Sequence, residues 1–327
     1  MLPEPLSSAS ILSWEKDLVI EKADARLPGV SIVIPIYNAG AFLEKTIRSL
    51  LCNDLTDVEL ILMDGGSTDN TAAIIAHYRQ AFTVAVSEKD RGQSDAINKG
   101  FARATKPILY WLNGDDIILP NAILAMRRAF RDNPGTEVVV GNAYMTEKDF
   151  TPIHHFVFSA EKLCFDYLLD YASHHLVQPS VFFSRNAWDE VGPVKEDLHY
   201  AMDADLFLGM AAKFKFLHIP VDIGYSVYHE DCKTRGKRGE SISELAFVQA
   251  THGGHTEARK TMNILVGMYN EAEARVAAPV VPPPSDHRDH DFLLRRMAAL
   301  EAEQEKNRQL LLNEDMKEPG GARAATP

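Results

Sequence analysis

Short apolar runs alternate with segments of helical periodicity between residues 30 and 135. The runs have the length of buried strands, and they predict strands at residues 30–35, 58–63, 83–87 and 108–112. Between the runs, apolar side chains recur at helical spacing, which predicts helices around Leu43–Leu51, Ile74–Tyr78 and Ala96–Phe101. Strands and helices that alternate with short connections predict a parallel sheet covered by helices on both faces.

Acidic residues follow several of the predicted strands. Asp64 ends the second strand, residues 88–90 follow the third, and the pair Asp115-Asp116 follows the fourth. Ligands of open parallel sheets bind beyond the carboxyl ends of the strands. We therefore expect these carboxylates to share a binding cleft.

The pattern changes after residue 135. It predicts strands at Val138–Val140 and Phe216–Pro220, a helix at Asp203–Lys213, and mostly helical structure over residues 241–278. We therefore expect four parts: an N-terminal arm (1–28), an α/β domain (29–240), a helical segment (241–280) and a C-terminal region (281–327).

The C-terminal region predicts a proline linker, an amphipathic helix and a disordered tail. Residues 282–284 are all proline and form a stiff linker. The residues that follow with alternating spacings of four and three are Leu293, Met297, Leu300, Gln304, Asn307 and Leu311. This spacing is typical of a coiled coil, through which the chain could form a homo-oligomer. A solvated amphipathic helix on its own domain explains the pattern equally well.

Composition excludes several classes of protein. The 327 residues are 46% hydrophobic and 24% charged, which is typical of a folded globular chain. The net charge of −12 argues against a nucleic-acid groove, but carboxylates suit a metal ion that carries a phosphate ligand. The three cysteines form no CxxC pair, so a zinc ribbon or a disulfide framework is not expected. With no signal peptide or membrane span in the sequence, we expect a cytoplasmic protein, with peripheral contact at the inner membrane as a further option.

Asp115-Asp116 is a candidate site for Mg²⁺ or Mn²⁺. Adjacent carboxylates after a strand offer the oxygen ligands that these ions prefer, and the ion would neutralise a departing diphosphate. The alternative is a capping role for the helix expected around Asn121–Phe130.

Four other segments are candidates for binding or catalysis. Asp64 precedes Gly65-Gly66, and its carboxylate could accept hydrogen bonds from a base or ribose. The alternative is that Asp64 forms a turn and caps the helix that follows. Arg91 offers a forked cation to phosphate, and Asp95 would cap a helix or reach the nucleotide.

Asp203 and Asp205 stand at a helix start, where one of them would act as a general base and the alternative is capping by both. His229, in a polar loop, would bind metal or diphosphate, although a lone histidine is more often structural.

The chain resembles the inverting nucleotide-sugar glycosyltransferases of family 2, which have the GT-A fold, and in particular the branch that builds bacterial surface polysaccharides. The matching segments occur in the family's order over residues 30 to about 235: 30–38 (VSIVIPIYN), 63–71, 88–101 (EKDRGQSDAINKGF), 111–116 (WLNGDD), 178–183, 202–208 (MDADLFL) and 229–234. The set as a whole is specific, although no single motif is.

The resemblance implies a GT-A, Rossmann-like, mostly parallel sheet flanked by helices, with a C-terminal helical extension. It implies transfer of a sugar from a nucleotide-diphospho-sugar, preferably a uracil nucleotide, to a sugar or lipid-linked acceptor hydroxyl. By position, the residues expected to bind the donor are Pro35, Tyr37, Asn38, Asp64, Arg91, Asp95, Asn113, Asp115 and Lys233. Asp203 would be the catalytic base, and Asp116 and His229 would bind the metal.

Two positions depart from the family pattern. Gly209 and Val227 stand where many relatives carry arginine. The absence of these two arginines and the predicted C-terminal helix suggest a second hypothesis. In it, the chain is a catalytically weakened nucleotide-binding scaffold that recruits partners. A sugar-nucleotide pyrophosphorylase is disfavoured, because no Gly-rich, basic loop follows the first strand.

Overall fold

The computed structural model describes residues 2–24, 26–230 and 232–277. Contacts divide the chain into two compact units, residues 1–270 and 271–327, and the sheet belongs to the first. The proline linker and the coiled-coil-like helix predicted for residues 281–327 lie outside the described residues. Among the described residues, no helix is long and apolar enough to cross a bilayer.

The strands are β1 (Val30–Ile36), β2 (Val58–Asp64), β3 (Val84–Ser87), β4 (Ile108–Trp111), β5 (Ile117–Ile118), β6 (Val138–Thr146), β7 (Pro152–Phe156), β8 (Val181–Ser184) and β9 (Phe216–Val227). The helices are α1 (Leu43–Leu51), α2 (Thr71–His77), α3 (Gln93–Phe101), α4 (Ala122–Asp132), α5 (Phe165–Leu169), α6 (Tyr171–His174), α7 (Arg185–Val191), α8 (Met202–Lys213), α9 (Lys233–Gly236), α10 (Arg238–Thr251) and α11 (His255–Ala277). Short 3₁₀ turns lie at Ser8–Ser10, Ser13–Asp17, Arg79–Ala81, Ala160–Lys162 and Gln178–Ser180.

All strands of the described part form one sheet, in the order β3-β2-β1-β4-β8-β6-β9-β5, with β7 paired to β6. Strands β3, β2, β1 and β4 are parallel, as the alternating pattern predicts. Beyond β4 the sheet becomes mixed, because β8 runs antiparallel to both β4 and β6 while β9 runs parallel to β6. The predicted α/β sheet flanked by helices is therefore confirmed, and α10 and α11 extend it at the C-terminal side.

Both faces of the sheet are covered, which explains the continuous apolar runs. Along β1, Val33 packs with the cluster that includes α3, α7 and α8, whereas Ile32 and Ile34 pack with α1, α2 and α4. Tyr110 and Trp111 of β4 are buried, as their pattern predicts. Full burial of each large apolar side chain contributes about 1.5–3 kcal/mol, so the sheet is a rigid base for the loops at its edge.

The N-terminal arm is held by a buried arginine on α1. Arg48 pairs with Glu15 of the arm, and it also donates to the carbonyl oxygen of Pro3 (2.8 Å) and to the hydroxyl of Tyr78 (3.1 Å). Glu44, one turn earlier, accepts from the backbone N–H of Leu6 (2.6 Å). The side chains of Arg48 and Glu15 are only 3% and 7% exposed, so the pair has little access to water.

We predict that Arg48→Met destabilises the fold by about 3 kcal/mol, because it leaves the buried carboxylate of Glu15 without its partner. Urea denaturation followed by circular dichroism measures the loss. The double variant Arg48→Met/Glu15→Gln should recover part of it, since no uncompensated charge remains. Equal losses in the single and double variants would contradict the importance of the pair.

Candidate active site

The pairing of β5 with β9 builds one half of the site. Ile117 of β5 lies opposite Tyr225 of β9, which brings the loop after β9 against the turn that precedes β5. As a result, His229 Nε2 lies 3.0 Å from Asp115 Oδ2. The His229 ring is buried and stacks on Phe42, with 4.1 Å between ring centroids, so its orientation is fixed.

Asp115, His229 and Cys232 form a candidate metal centre. A carboxylate oxygen, an imidazole nitrogen and the thiol sulfur all lie within 4.8 Å of one another. The Asp115 side chain is 35% exposed, so the centre opens to solvent on the carboxylate side. These donor types suit a divalent transition-metal ion that keeps an open position for a ligand.

Asp116, which the resemblance implies is the direct metal ligand, is not one of these three grouped donors. Its carboxylate is 4% exposed and accepts from the backbone N–H of Val227 (3.1 Å) and the amide of Asn113 (3.0 Å). Burial and the neighbouring charge of Asp115 raise the pKa of Asp116 well above its usual range. Its oxygens bind the loops together, and Asp115 is the carboxylate that faces His229.

The alternative capping role for Asp115 and Asp116 is also wrong. The next helix, α4, has Asn121 as its N-cap residue, and β5 lies between the acidic pair and that cap. The sequence gives no signal for β5, because it is only two residues long.

A chain of amide hydrogen bonds joins four segments at the sheet edge. Lys233 Nζ donates to Gln93 Oε1 (2.8 Å), and Gln93 Nε2 donates to Asn113 Oδ1 (2.8 Å). Asn113 Nδ2 also lies 3.3 Å from Gln178 Oε1, and Gln178 in turn donates to the carbonyl oxygen of Trp111 (2.8 Å). Sequence reasoning assigned no role to Gln93 or Gln178, although both lie within the segments that carry the family resemblance.

At the neighbouring strand ends, Asp64 and Asn38 hold the loop of residues 65–70. Buried Asp64 accepts from the backbone N–H and hydroxyl of Ser67 (3.1 and 2.5 Å) and from the hydroxyl of Ser87 (2.5 Å). Asn38 accepts from Thr68 N (2.9 Å), and Asn38 N donates to Ser67 Oγ (2.8 Å).

Pro35 and Tyr37 differ in their access to this edge. Pro35 does not end β1, which continues to Ile36, and its side chain is buried inside the strand. This contradicts the expectation that Pro35 lines the donor. Tyr37 is 64% exposed, so it presents an aromatic surface where the strand ends.

Arg91 and Asp95 contact each other at the start of α3. Asp95 accepts from the backbone N–H of Arg91 (3.0 Å) and from its guanidinium (2.9 Å), and it pairs with Lys99 (3.0 Å). The Arg91 side chain, followed by Lys99, lowers the pKa of the Asp95 carboxyl to about 2. Arg91 also pairs with Glu196 (2.8 Å). These bonds hold Asp95 against the loop that precedes α3, whose N-cap residue is Gly92.

Asp203 lies in the first turn of α8, with a partly buried carboxylate. Burial, together with a smaller contribution from the charge of Glu244, raises the pKa of Asp203 to about 6. The hydrogen bonds from the N–H groups of Ala204 and of Asp203 itself lower it and offset part of this rise. A carboxylate with a pKa near neutrality is a better proton acceptor than an ordinary aspartate.

Asp205 has a structural role. It pairs with Lys195 (2.8 Å) and lies 3.0 Å from His252 Nε2 of the segment after α10. Burial raises the pKa of Asp205, but the hydrogen bonds from His252 and Lys195 outweigh it, so the pKa is lowered overall. Of the two predicted candidates for a base, Asp203 has the raised pKa and Asp205 the lowered one.

Glu244 of α10 connects the Asp203 segment to the metal side. Its two oxygens accept from the backbone N–H groups of His199 (2.9 Å), Tyr200 (2.5 Å) and Ala201 (2.7 Å), which directly precede α8. It interacts electrostatically with Asp203 and also with Lys233, which interacts with Asp115. Glu244 is therefore an electrostatic neighbour of both Asp203 and Lys233.

Comparison with known proteins identifies relatives of this region. Residues 31–191 match the sequence model of the family described as Glycosyl transferase family 2. The chain is 27% identical over 248 residues to a chondroitin synthase of Escherichia coli, covering 73% of this chain and 34% of that one. It is 28% identical over 137 residues to a poly-beta-1,6-N-acetyl-D-glucosamine synthase of Staphylococcus epidermidis, covering 41% and 33%. The chain therefore spans about a third of the length of these relatives.

The fold also matches solved structures. The mannosyltransferase PcManGT from Pyrobaculum calidifontis, in complex with GDP-Man and Mn²⁺, superposes with a TM-score of 0.53 at 16% identity. The match covers 84% of this chain and 81% of that one. At this identity the likeness establishes the GT-A fold.

We predict that Glu244→Ala destabilises the fold by about 2 kcal/mol, because three backbone N–H groups lose a charged acceptor. Hydrogen exchange should show faster exchange of the amides of residues 199–201. Glu244→Gln keeps one acceptor oxygen and should retain most of the protection. Glu240→Ala, one turn earlier on α10, is the control, since its carboxylate bonds only side chains, those of Tyr200 and Lys237. Unchanged exchange in Glu244→Ala would refute the role.

Proposed function

The chain belongs to glycosyl transferase family 2, and we propose that it is an inverting, metal-dependent glycosyltransferase. It would move a sugar from a nucleotide-diphospho-sugar to an acceptor hydroxyl during synthesis of a polysaccharide or glycoconjugate. The observation that supports this proposal most strongly is the 3.0 Å contact between Asp115 and His229, beside the carboxyl end of β4.

The residues present fit a divalent cation. Asp115 and His229 would hold it, and a bound cation would neutralise the charge that develops on the departing nucleoside diphosphate. A neighbour of the same fold was crystallised with GDP-Man and Mn²⁺, which supports the proposal of a divalent cation.

The nucleotide would lie across the ends of β1, β2 and β4. Exposed Tyr37 would stack on the base, and Asn38 and Asp64 would present the loop of residues 65–70 to the base and ribose. Asn113 and Lys233, joined through Gln93, would face the phosphates, where an ammonium group counters negative charge. Arg91 and Asp95 would shape the loop before α3.

Asp203 would act as the general base. Its carboxylate would take the proton of the acceptor hydroxyl as the hydroxyl oxygen forms a bond to the anomeric carbon. The bond from that carbon to the diphosphate breaks on the opposite face, so the configuration inverts. The hydrogen bonds from residues 199–201 to Glu244 would hold the base in position.

One of the two arguments for the scaffold hypothesis, the absence of arginine at positions 209 and 227, is not supported by the packing. An added side chain at Gly209 would come within 2.6 Å of Val191 in the core, and Val227 is buried against Leu12 and Ile117. An arginine at either position would have no room in this packing. The absence of arginine at these two positions therefore does not remove a positive charge from the cleft. The other argument, the C-terminal helix, lies outside the described residues. The cytoplasmic location, the contact with the inner membrane and the homo-oligomer stay predictions.

We predict that Asp203→Asn reduces kcat by at least about a hundredfold while the dissociation constant for nucleoside diphosphate stays unchanged, because general-base catalysis contributes about 10²–10⁴-fold. Assays would use UDP- and GDP-sugars with Mn²⁺ and follow release of nucleoside diphosphate. The wild-type kcat/KM should fall about tenfold per pH unit below about pH 6, where Asp203 becomes protonated.

Thermal unfolding supplies the control for that substitution. At pH 7.5 the folded state holds a charged, partly buried Asp203 whose pKa is raised, which costs stability, so Asp203→Asn should keep or raise the melting temperature. A variant with near-normal turnover would remove Asp203 from the mechanism.

We predict that UDP or GDP raises the melting temperature more with Mn²⁺ than with chelator, because a ligand that binds the folded state stabilises it. Asp115→Ala should abolish the Mn²⁺-dependent increment. Asp189→Ala, an exposed acidic position on α7, is the matched control and should retain it. An increment that survives in Asp115→Ala would show that the cation binds elsewhere.

A further inference from the structure

Cys232 lies beside the candidate metal ligands in a turn that its own backbone helps to close. Cys232 N donates to the carbonyl oxygen of His229 (3.2 Å), and His229 N donates back to Cys232 Sγ (3.2 Å). The thiol also donates to the carbonyl oxygen of Val227 (3.3 Å). These bonds hold the sulfur near the imidazole of His229 and the carboxylate of Asp115.

We propose that Cys232 is a third protein ligand of the cation, and that its sulfur makes the site prefer Zn²⁺ or Co²⁺, with Mn²⁺ next, over Mg²⁺. This inference rests on the proposed cation site, and it concerns which ion that site selects.

The spacing suits one shared ion. Ligand bonds of about 2.0–2.2 Å for nitrogen and oxygen and about 2.3 Å for sulfur put two donors roughly 3.0–4.4 Å apart across an ion. The Asp115–His229 separation of 3.0 Å falls at the lower end of this range. All three donor atoms lie within 4.8 Å of one another, so small side-chain rotations would bring them onto one ion.

The donor set determines the preference among ions. Mg²⁺ requires near-octahedral oxygen ligands and gives up its water reluctantly, whereas imidazole and thiolate favour zinc and cobalt. Two of the three donors are nitrogen and sulfur.

The other two cysteines lack such surroundings. Cys52 is buried, and burial raises the pKa of its thiol to about 11, which disfavours the thiolate. Cys164 is exposed, and its thiol donates to the carbonyl oxygen of Glu161 (3.6 Å). Within the described residues, the only group of three or more metal-binding side chains is the one that contains Cys232. Cys164 therefore offers a matched control for substitutions at Cys232.

The test is a titration of the metal-free, reduced full-length protein with Co²⁺, followed by near-ultraviolet and visible absorption. We expect a thiolate-to-Co²⁺ charge-transfer band in the wild type and in Cys164→Ser. The band should be lost in Cys232→Ala and Cys232→Ser. Co²⁺ affinity should fall about tenfold or more in both, whereas Mg²⁺ affinity should change little.

Two results would overturn the inference in different ways. Co²⁺ binding that Asp115→Ala weakens, with no thiolate band in the wild type, would exclude Cys232 and leave the proposed cation site intact. The absence of saturable binding of any divalent ion, with or without UDP or GDP, would overturn both.

A second measurement needs no substitution, in case variants at Cys232 fold poorly. Alkylation of the native protein by iodoacetamide can be followed at each cysteine peptide by mass spectrometry. Zn²⁺ should slow alkylation at Cys232 several-fold and leave Cys164 unaffected, whereas equal Mg²⁺ should slow neither. Equal rates at Cys232 with and without Zn²⁺ would contradict the proposal.

Discussion

The pairing of the two-residue strand β5 with β9 is the constraint on which the site depends. It fixes the turn after β4 against the loop after β9, two segments more than a hundred residues apart in the sequence. The backbone of Val227 seals this contact by donating to buried Asp116. Asp115 and His229 meet because these surrounding bonds hold both loops, so the sheet positions the candidate metal centre.

The acidic residues at the sheet edge divide into two groups with different surroundings. Asp64, Asp95 and Asp116 are buried, and each accepts hydrogen bonds from groups of the neighbouring loops. The carboxylate of Asp115 is accessible to solvent, whereas that of Asp203 is weakly solvated. Carboxylates of the first group stabilise the loops, which leaves those of the second group available for a cation and for a proton. The proposed cation would let a negatively charged chain hold a phosphate ligand without a basic groove.

The sequence was sufficient to predict the parallel half of the sheet, because buried parallel strands give long apolar runs between amphipathic helices. It did not reveal β5 or β8, since antiparallel strands of two and four residues leave little periodic signal. The same gap means that the sequence does not distinguish the surroundings of the adjacent carboxylates. The β5–β9 pairing leaves Asp115 partly exposed beside His229 and Asp116 buried. Cys232 escaped notice because one of its neighbours, Asp115, is distant in sequence and no CxxC spacing marks it.

The central claim is that a cation and a sugar nucleotide meet at this edge of the sheet. Anomalous X-ray diffraction from crystals grown with Mn²⁺ and a nucleoside diphosphate tests it directly. The account predicts an anomalous peak in bonding contact with Asp115 and His229, with the diphosphate on its open side and Asp203 facing the position of the sugar. A peak elsewhere on the protein, with the Asp115–His229 hydrogen bond intact, would contradict it.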